Sequence, residues 1–345
     1  MVPPPEPTSH RGRRATITDV ARSAGVSPAT VSRVMNGSKR ASPDVVGRVL
    51  DAVEALGYRP NPAAQGLLRG ASHTIGVVVP DLSNPYFAEV LKSVTEAAAE
   101  RQRRTLVADS NEDPVQELLA AEELTRWVDG LVLCSSRLTT PKLRRLLQAS
   151  PHTVLVNRVL GRGEAPAVTV DVSAGMRAAC EHLVDLGHRE VAYLAGPSRA
   201  WSDAQRRRAL AKATSLNVHA IPCGSSSAAG YAAVDRALAV QPTALIAFSD
   251  YVALGALARL DELGIAVPED LSLVGFDDLP FGGLVRPRLT TVSVVKAQLG
   301  KLAVERLLDG EPGAPVTTVP ATLVVRESTS SPRRRRRTGK HIVTS

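Results

Sequence analysis

The chain has 345 residues and a formal net charge of +8, and 44% of its residues are hydrophobic. This length suits one small domain and a larger body, and no stretch approaches the roughly 18 to 20 consecutive apolar residues of a membrane helix. The three cysteines Cys134, Cys180 and Cys223 are widely spaced and show no CxxC or His-rich pattern. They are expected to be core residues and not part of a disulfide framework or a metal site, and no cofactor is predicted.

Basic residues are concentrated at the two ends of the chain. Residues 1–71 hold ten Lys or Arg and five acids, residues 72–330 hold 26 and 29, and residues 331–345 hold six and none. A basic N-terminal segment suits contacts with nucleic-acid phosphates, whereas the slightly acidic middle does not. Residues 1–15 are expected to be a flexible extension. They are rich in Pro and Arg and lack the apolar core of a secretory signal, so a cytoplasmic protein without membrane attachment is expected.

Two short helices joined by a tight turn are predicted in residues 16–37. Thr16 and Asp19 form a capping box for the first helix, and Ser27 caps the second, with Pro28 in its first turn. The outer face of the second helix is small and smooth with one long basic side chain, and consists of Pro28, Ala29, Ser32 and Arg33. That basic side chain can donate to guanine O6 and N7 in a major groove. The pattern favours a helix-turn-helix, although ordinary helical bundles also contain such pairs.

A third helix is predicted to follow, capped by Ser42 and ended by Gly57. Its inner face is expected to consist of Val46, Val49, Leu50, Val53 and Leu56. Three helices of this size make a small headpiece, assigned to residues 16–60.

Residues 61–72 are predicted to be a hinge. Asn61 caps and Pro62 starts a helix of barely two turns, which is too short to be stable alone in water. Gly66 inside it costs about 1 kcal/mol relative to Ala. Residues 61–69 are therefore expected to become helical only when a partner orders them.

From His73 onward, short apolar runs alternate with amphipathic stretches, which is the pattern of parallel strands covered by helices. A helix is expected over residues 173–186. The predicted strands are residues 74–79, 105–108, 131–134, 153–156, 191–194, 218–222, 244–248 and 271–274. Two doubly wound sheets follow, and they place ligands beyond the carboxyl ends of their strands, in a cleft between them.

Several motifs together identify a resemblance to the LacI/GalR family of bacterial repressors, running from about Thr16 to Glu327. They are VSRVMNG, LGYRPNPAAQGL, DLSNPYFAEV, LGHREVAYLAGP, PTALIAFSDYVALGAL, VPEDLSLVGFDD and RPRLTTV. The resemblance implies an all-α helix-turn-helix headpiece followed by an α/β periplasmic-binding-protein-like body of two doubly wound parallel-sheet subdomains. It also implies chain crossings near Asp171, Thr291 and Ala321, with subdomain 1 at about 73–170 and 292–320 and subdomain 2 at about 171–291 and 321–330.

The resemblance implies a homodimer that binds a near-palindromic operator in double-stranded DNA. Pro28, Ala29 and Arg33 match base-contacting positions, and Ser32 shares their face. The residues expected to position the phosphates are Thr16, Ser27, Thr30 and Asn36. Leu67 matches a leucine that wedges between base pairs in the minor groove, and the alternative is that it is buried under the body.

A small-molecule effector, expected to be a sugar or a derivative of one, is implied in the cleft. Tyr86, Phe87, Arg158, Arg206 and Asp277 match effector-lining positions of the family, and Trp201 and Ser202 lie in a contributing loop. The residues that follow strand ends and join this candidate set are Asp81, Asn84 and Asp250. Other roles are open: Asp277 suits a cap, Tyr86 and Phe87 suit a core, and Arg206 suits a solvated face.

An enzyme is not predicted, because the sequence has no P-loop, GxGxxG after a strand, HExxH or GxSxG motif. The alternative class is a soluble sugar-binding protein without a gene-regulatory role, which the headpiece argues against. Residues 331–345, with five consecutive arginines from Arg333 to Arg337, are predicted to be a disordered tail that is solvated or attracts nucleic acid nonspecifically.

Overall fold

The computed structural model describes residues 15–35, 41–59, 72–161, 164–310 and 316–333. The chain divides into two compact units, residues 1–72 and 73–345. Four predictions lie wholly or largely outside the described residues. They concern the N-terminal extension, Asn36, the hinge with Leu67, and the tail beyond Arg333.

The first unit contains three helices: α1 (Ile17–Ala24), α2 (Pro28–Met35) and α3 (Pro43–Ala55). The predicted capping box of α1 is confirmed, since the Asp19 N–H donates to Thr16 Oγ1 at 3.3 Å and the Thr16 N–H donates to Asp19 Oδ2 at 3.0 Å. At the start of α2 the Thr30 N–H donates to Ser27 Oγ at 3.2 Å. Gly25 ends α1 with a left-handed φ of 63°, a conformation that favours glycine.

The headpiece core is small and consists of Val20, Ala21, Ala24, Val31, Val49 and Ala52. The prediction for the inner face of α3 is partly wrong, because Leu50 is 50% exposed and Leu56 is 40% exposed. The buried stripe of α3 is centred on Val49 and Ala52, which lie three residues apart on one face. Leu50 is one residue further and so is rotated by about 100° toward solvent.

The second unit alternates strands and helices. Its first half contains β1 (Thr74–Val79), α4 (Pro85–Glu100), β2 (Arg104–Asp109), α5 (Pro114–Leu124), β3 (Gly130–Cys134), α6 (Thr140–Ala149), β4 (Thr153–Val156) and β5 (Ala167–Val170). Its second half contains α7 (Val172–Asp185), β6 (Glu190–Ala195), α8 (Trp201–Leu210), β7 (Asn217–Pro222), α9 (Ser227–Leu238), β8 (Ala244–Ala247), α10 (Asp250–Glu262), β9 (Ser272–Asp277), β10 (Thr290–Val294), α11 (Lys296–Asp309), β11 (Thr317–Val319) and β12 (Ala321–Val324).

The strands form two sheets of six. The first has the order β11-β5-β4-β3-β1-β2 and is parallel throughout. The second has the order β12-β10-β9-β8-β6-β7, with only β12 antiparallel to its neighbour. Every predicted strand is present, with bounds shifted by a few residues. The strands β5, β10, β11 and β12 were not predicted as strands.

The chain passes between the two sheets three times. The first passage follows β5, where Asp171 accepts from the Ala174 N–H at 2.9 Å and caps α7. The second passage falls later than predicted, because residues 292–294 belong to β10 in the second sheet and only α11 returns to pack on α4. Pairing of β10 with both β9 and β12 holds those residues in place. The third passage is Pro320, between β11 and β12.

Strands β1, β3, β4, β8 and β9 are almost wholly buried, as expected of parallel strands covered on both faces. Cys134 and Cys180 are free and buried, and Cys223 is free and half-buried. Arg333, the first arginine of the predicted tail, pairs with Asp270 at 2.6 Å. Among the described residues, no helix has both the length and the apolar character needed to cross a membrane.

Candidate functional site

A narrow cavity lies between the carboxyl ends of the two sheets and is called the inner cavity. Its free volume is about 40 Å³, which is room for a few water molecules but not for a sugar-sized ligand. Residues from both subdomains line it: Asn84, Tyr86, Phe87, Ser135, Arg137, Asn157, Val170, Val172, Ser202, Arg206, Ser225, Phe248, Ser249, Phe276 and Asp277. Six of these, Asn84, Tyr86, Phe87, Ser202, Arg206 and Asp277, belong to the set predicted from the sequence.

Arg206 is the central side chain of the inner cavity. It comes from α8, is only 4% exposed, and its guanidinium carbon lies 4.6 Å from the Phe248 ring centre and 3.9 Å from that of Phe276. Its Nη2 lies 3.9 Å from Asp277 Oδ1, whereas Nε and Nη1 are buried without a hydrogen-bond partner. Buried donors without hydrogen-bond partners destabilise the fold. A polar ligand group that accepts from Arg206 Nε and Nη1 would therefore bind favourably here. The solvated-face alternative for Arg206 is wrong.

Asp277 ends β9 with a φ of 109°, in the left-handed region that non-glycine residues rarely adopt. Burial raises the pKa of its carboxyl to about 8, and the nearby Arg206 charge opposes the rise. Its backbone carbonyl accepts from Lys296 Nζ at 2.6 Å. No capping hydrogen bond from the Asp277 carboxylate is found among the described contacts, and the side chain lines the inner cavity. Strained backbone and a poised carboxyl are typical of ligand sites.

The first subdomain contributes an amide, a phenol and an aromatic ring. Asn157 Nδ2 donates to the Tyr86 hydroxyl at 2.6 Å, and Phe87 stands edge-on to Tyr86 with ring centres 5.3 Å apart. Burial raises the pKa of Tyr86 well above its usual range, so the phenol is neutral. Asn84 accepts from the Tyr86 N–H at 3.1 Å and so caps α4. Tyr86 and Phe87 serve both the core and the cavity wall.

A polar bridge joins the two subdomains at one side of the inner cavity. Arg137, which follows β3, binds both oxygens of Glu112 at 2.5 and 2.9 Å. Glu112 Oε1 also accepts from Ser225 Oγ of the second subdomain at 3.0 Å. Sequence reasoning missed Arg137, Ser135, Ser225 and Phe248. The signal that could have found them is their position directly after strands or at helix starts.

Four predicted effector residues do not line the inner cavity, and two of them, Asp250 and Asp81, form local hydrogen bonds. Asp250 is fully buried and accepts from the Leu279 N–H at 2.7 Å and from Thr291 Oγ1 at 2.5 Å, so it ties the start of α10 to the loop after β9 and to β10. Burial raises its pKa to about 7. Asp81 accepts from the N–H and the hydroxyl of Ser83 at 2.8 and 2.6 Å in an exposed turn. Both carboxylates accept local hydrogen bonds, and neither lines the inner cavity.

The remaining predicted residues, Arg158 and Trp201, line a separate and wider cavity of about 370 Å³, called the mouth cavity. Its walls come from α6, the loop after β4, the loop after β6, and α8. They consist of Thr140, Arg158, Val159, Leu160, Gly161, Ser198, Arg199, Ala200, Trp201, Ala204, Gln205 and Arg208. The sequence analysis therefore assigned to one site residues that the structure places in two separate cavities.

The headpiece presents the predicted DNA face on α2 and its N-cap. Ser27, Pro28, Ala29 and Arg33 are exposed, and Thr16, Thr30 and Ser32 are half-buried. Arg33 Nε donates to the Ala29 carbonyl at 3.2 Å and Nη2 to Thr30 Oγ1 at 3.3 Å, so the guanidinium lies along its own helix. These contacts are exposed and weak. The Arg33 guanidinium is therefore held only weakly against its own helix.

A helix-turn-helix headpiece joined to a two-subdomain binding body defines a DNA-binding regulatory protein. Residues 16–61 match the family described as bacterial regulatory proteins, lacI family, and residues 180–329 match the periplasmic binding protein-like domain. The chain is 39% identical over 309 residues to the HTH-type transcriptional regulator GalS of Salmonella typhimurium, covering 86% of this chain and 90% of that protein. The chain belongs to the LacI family, and it is a transcriptional regulator.

Two solved structures show the same architecture. A lac repressor dimer bound to operator and the anti-inducer ONPF superposes with a TM-score of 0.82 at 28% identity, covering 92% of this chain and all of that one. A complex of the transcriptional regulator CelR with cellobiose gives a TM-score of 0.67 at 29% identity, covering 91% and 100%. These relatives are named as regulators and not as enzymes.

Proposed function

We propose that this chain is a repressor that binds a near-palindromic operator as a homodimer and is controlled by a carbohydrate-like effector in the cleft between its subdomains. The observation that carries the effector half is the burial of Arg206 with two unpartnered nitrogens next to Asp277. We also propose that it acts in the cytoplasm on the nucleoid DNA.

A carbohydrate fits the chemistry of the inner cavity. Sugars offer many hydroxyl groups, which suit the guanidinium of Arg206, the carboxyl of Asp277 and the amide of Asn157, and the flat C–H faces of a sugar ring suit Phe248 and Phe276. The cellobiose complex of CelR is a related case. Because the free volume is only about 40 Å³, effector entry requires the two subdomains to move apart or side chains to move aside.

The homodimer is supported by apolar residues on the edge strand of the first sheet. In β2, Leu106 is 43% exposed and Val107 is 40% exposed. Exposed apolar side chains on an edge strand are suited to pairing with a second copy. Two copies related by a two-fold axis would present two headpieces to two half-sites, as in the lac repressor dimer on its operator.

Ligand and operator are then coupled through the cleft. An effector that favours one arrangement of the subdomains changes whether the hinges of the two copies can fold on DNA, typically by about 1 to 3 kcal/mol. The coupling is reciprocal, so operator must change effector affinity by the same factor.

The test is selection of genomic DNA fragments by the purified full chain, with Arg33→Ala beside it and Arg145→Ala as a control that removes an exposed charge from the body. We expect wild type and the control to enrich one near-palindromic site that Arg33→Ala does not enrich. Footprinting should show two symmetric half-sites.

Indiscriminate retention of DNA by all three proteins would contradict the proposal and leave a sugar-binding protein without a regulatory role. A single unsymmetrical half-site would contradict the homodimer alone. Genes beside the selected site nominate carbohydrates for titration against operator binding.

A further inference from the structure

The mouth cavity is built from four elements that converge on one space of about 370 Å³. Arg158 to Gly161 follow β4 of the first subdomain, and Ser198 to Ala200 follow β6 of the second. Helices α6 and α8 begin at its walls. Because parallel sheets bind ligands beyond their carboxyl ends, both subdomains present the appropriate edge here.

Its charge is strongly one-sided. Three guanidinium groups, those of Arg158, Arg199 and Arg208, line the cavity, and no carboxylate occurs among the lining residues that the structure describes. Glu164, which accepts from the Gly161 N–H at 2.9 Å, is already bound by Arg144 at 2.5 and 2.9 Å. The cavity therefore has an excess of positive charge.

Arg158 is the most constrained of the three. Its Nε is buried without a hydrogen-bond partner, and Nη2 makes only long contacts, to the Leu138 carbonyl at 3.4 Å and to Thr140 Oγ1 at 3.3 Å. Burial lowers the pKa of its guanidinium, while the buried Glu117 partly opposes this. A half-buried cation with a free donor is costly unless an anion pairs with it.

Two helix starts add to this preference. Both α6 and α8 have ten residues, and neither Thr139 nor Ala200 at their N-caps makes a side-chain capping bond. Thr140 and Trp201, the first residues of these helices, line the cavity. Helix starts favour anions through their first N–H groups, although Pro141 in α6 has no N–H and the Asp203 N–H of α8 already donates to the Ala200 carbonyl at 3.1 Å.

We propose that the mouth cavity binds the phosphate group of a phosphorylated small molecule. Three guanidinium groups suit the oxygens of a phosphate dianion, and the indole of Trp201 supplies an apolar face for the rest of the molecule. This proposal rests on the proposed function, because a molecule bound here contacts both subdomains and so favours one arrangement of them.

The inner and mouth cavities share two walls. After β4, Asn157 lines the inner cavity and Arg158 the mouth cavity. On α8, Ser202 and Arg206 face inward, whereas Trp201 and Gln205 face the mouth. An anion at Arg158 would therefore fix the same strand end and helix that carry the inner site.

The test is isothermal titration of the full chain with inorganic phosphate, glucose 6-phosphate and glucose at low salt. The main variant is Arg199→Gln with Arg208→Gln, since both side chains are exposed and the fold should tolerate their loss. Arg145→Gln, an exposed arginine outside both cavities, is the matched control. Arg158→Gln is a second variant.

We expect a phosphate-bearing probe to bind saturably, with about tenfold weaker affinity in the double variant, similar weakening in Arg158→Gln, and less than twofold change in the control. Glucose 6-phosphate binding more tightly than inorganic phosphate indicates a phosphorylated organic ligand, and equal affinities indicate free phosphate. Binding that is absent, or equal in all variants, overturns the proposal. Operator binding, measured separately on the same samples, reports the proposed function, so the two can fail independently.

Discussion

Arg206→Met removes a buried guanidinium that lacks two hydrogen-bond partners, and we expect it to stabilise the body when no effector is bound. Met is chosen because it has a similar length, is apolar, and contacts aromatic rings favourably through its sulfur. Arg206 lies between Phe248 and Phe276, so the new side chain would occupy the same space.

The magnitude follows from three contributions. Each unsatisfied buried donor costs about 1 to 3 kcal/mol, and Arg206 has two. Loss of the two ring contacts costs up to about 2 kcal/mol each. Sulfur–aromatic contacts restore about 0.3 to 1.5 kcal/mol each. With the donor and sulfur contributions near the middle of their ranges and the ring loss at its full value, the balance is a stabilisation of about 2 kcal/mol, which corresponds to a rise of about 4 to 8 °C in Tm for a body of this size.

Differential scanning calorimetry of the full chain measures this, with the larger transition assigned to the body. Arg208→Met, an exposed position on the same helix, is the control and should leave Tm unchanged. If Arg206→Met lowers Tm by several degrees while the control does not, the unpartnered nitrogens cost little and the reasoning is refuted. A rise would show that Arg206 is retained at the expense of stability.

Other predictions concern the headpiece, the hinge and pH. Arg33→Ala should weaken specific operator binding by about 1 to 3 kcal/mol and relax one base position in a binding-site selection, and a uniform loss with a smaller salt slope would make Arg33 a phosphate contact. Thr16→Ala should lower the free energy of unfolding of the headpiece by about 1 kcal/mol, measured as loss of the helical circular dichroism signal at a lower temperature. An unchanged melting curve would show that the capping box does not stabilise the headpiece. Burial raises the pKa of Asp277 to about 8, so the folded state keeps a proton that the unfolded chain releases above about pH 4. Stability should therefore fall as pH rises from about 4 to about 8. Asp277→Asn should make this slope shallower in urea unfolding, and the Asp250 carboxyl, whose pKa burial raises to about 7, should give the slope that remains. A rise in wild-type stability over this window would contradict it. Amide exchange in residues 61–69 should slow on operator binding, and equal protection with and without DNA would exclude folding of the hinge on DNA.

Local chemistry made much of the fold predictable. The pair Thr16 and Asp19 specifies a helix start because each side chain satisfies the backbone N–H of the other. Continuous apolar runs such as residues 74–79 specify buried parallel strands, because only strands covered on both faces are apolar on both. The short strands β5 and β11 lack this signal, since β5 depends on pairing with β4 and β11, and β11 depends on pairing with β5 at the edge of the sheet.

The site was less predictable, because position after a strand does not say where a side chain points. Asp250 and Asp277 both follow buried strands or end them, yet Asp250 is used by the Leu279 N–H and Thr291, and Asp277 lines the cavity. Neighbouring Asn157 and Arg158 face different cavities for the same reason. Which cavity a side chain faces depends on tertiary packing, and the identity of a single residue does not determine it.

The three passages of the chain between the subdomains bear on the order in which the protein matures during synthesis. Each sheet has a late strand, β11 in the first and β12 in the second, so neither can close until residues 317–324 have been made. The headpiece ends before His73 and is a separate compact unit. Synthesis at about 5 to 20 residues per second means that residues 317–324 are made some ten to fifty seconds after the headpiece is complete. A nascent chain would thus have a folded headpiece well before it has a complete cleft with which to sense anything.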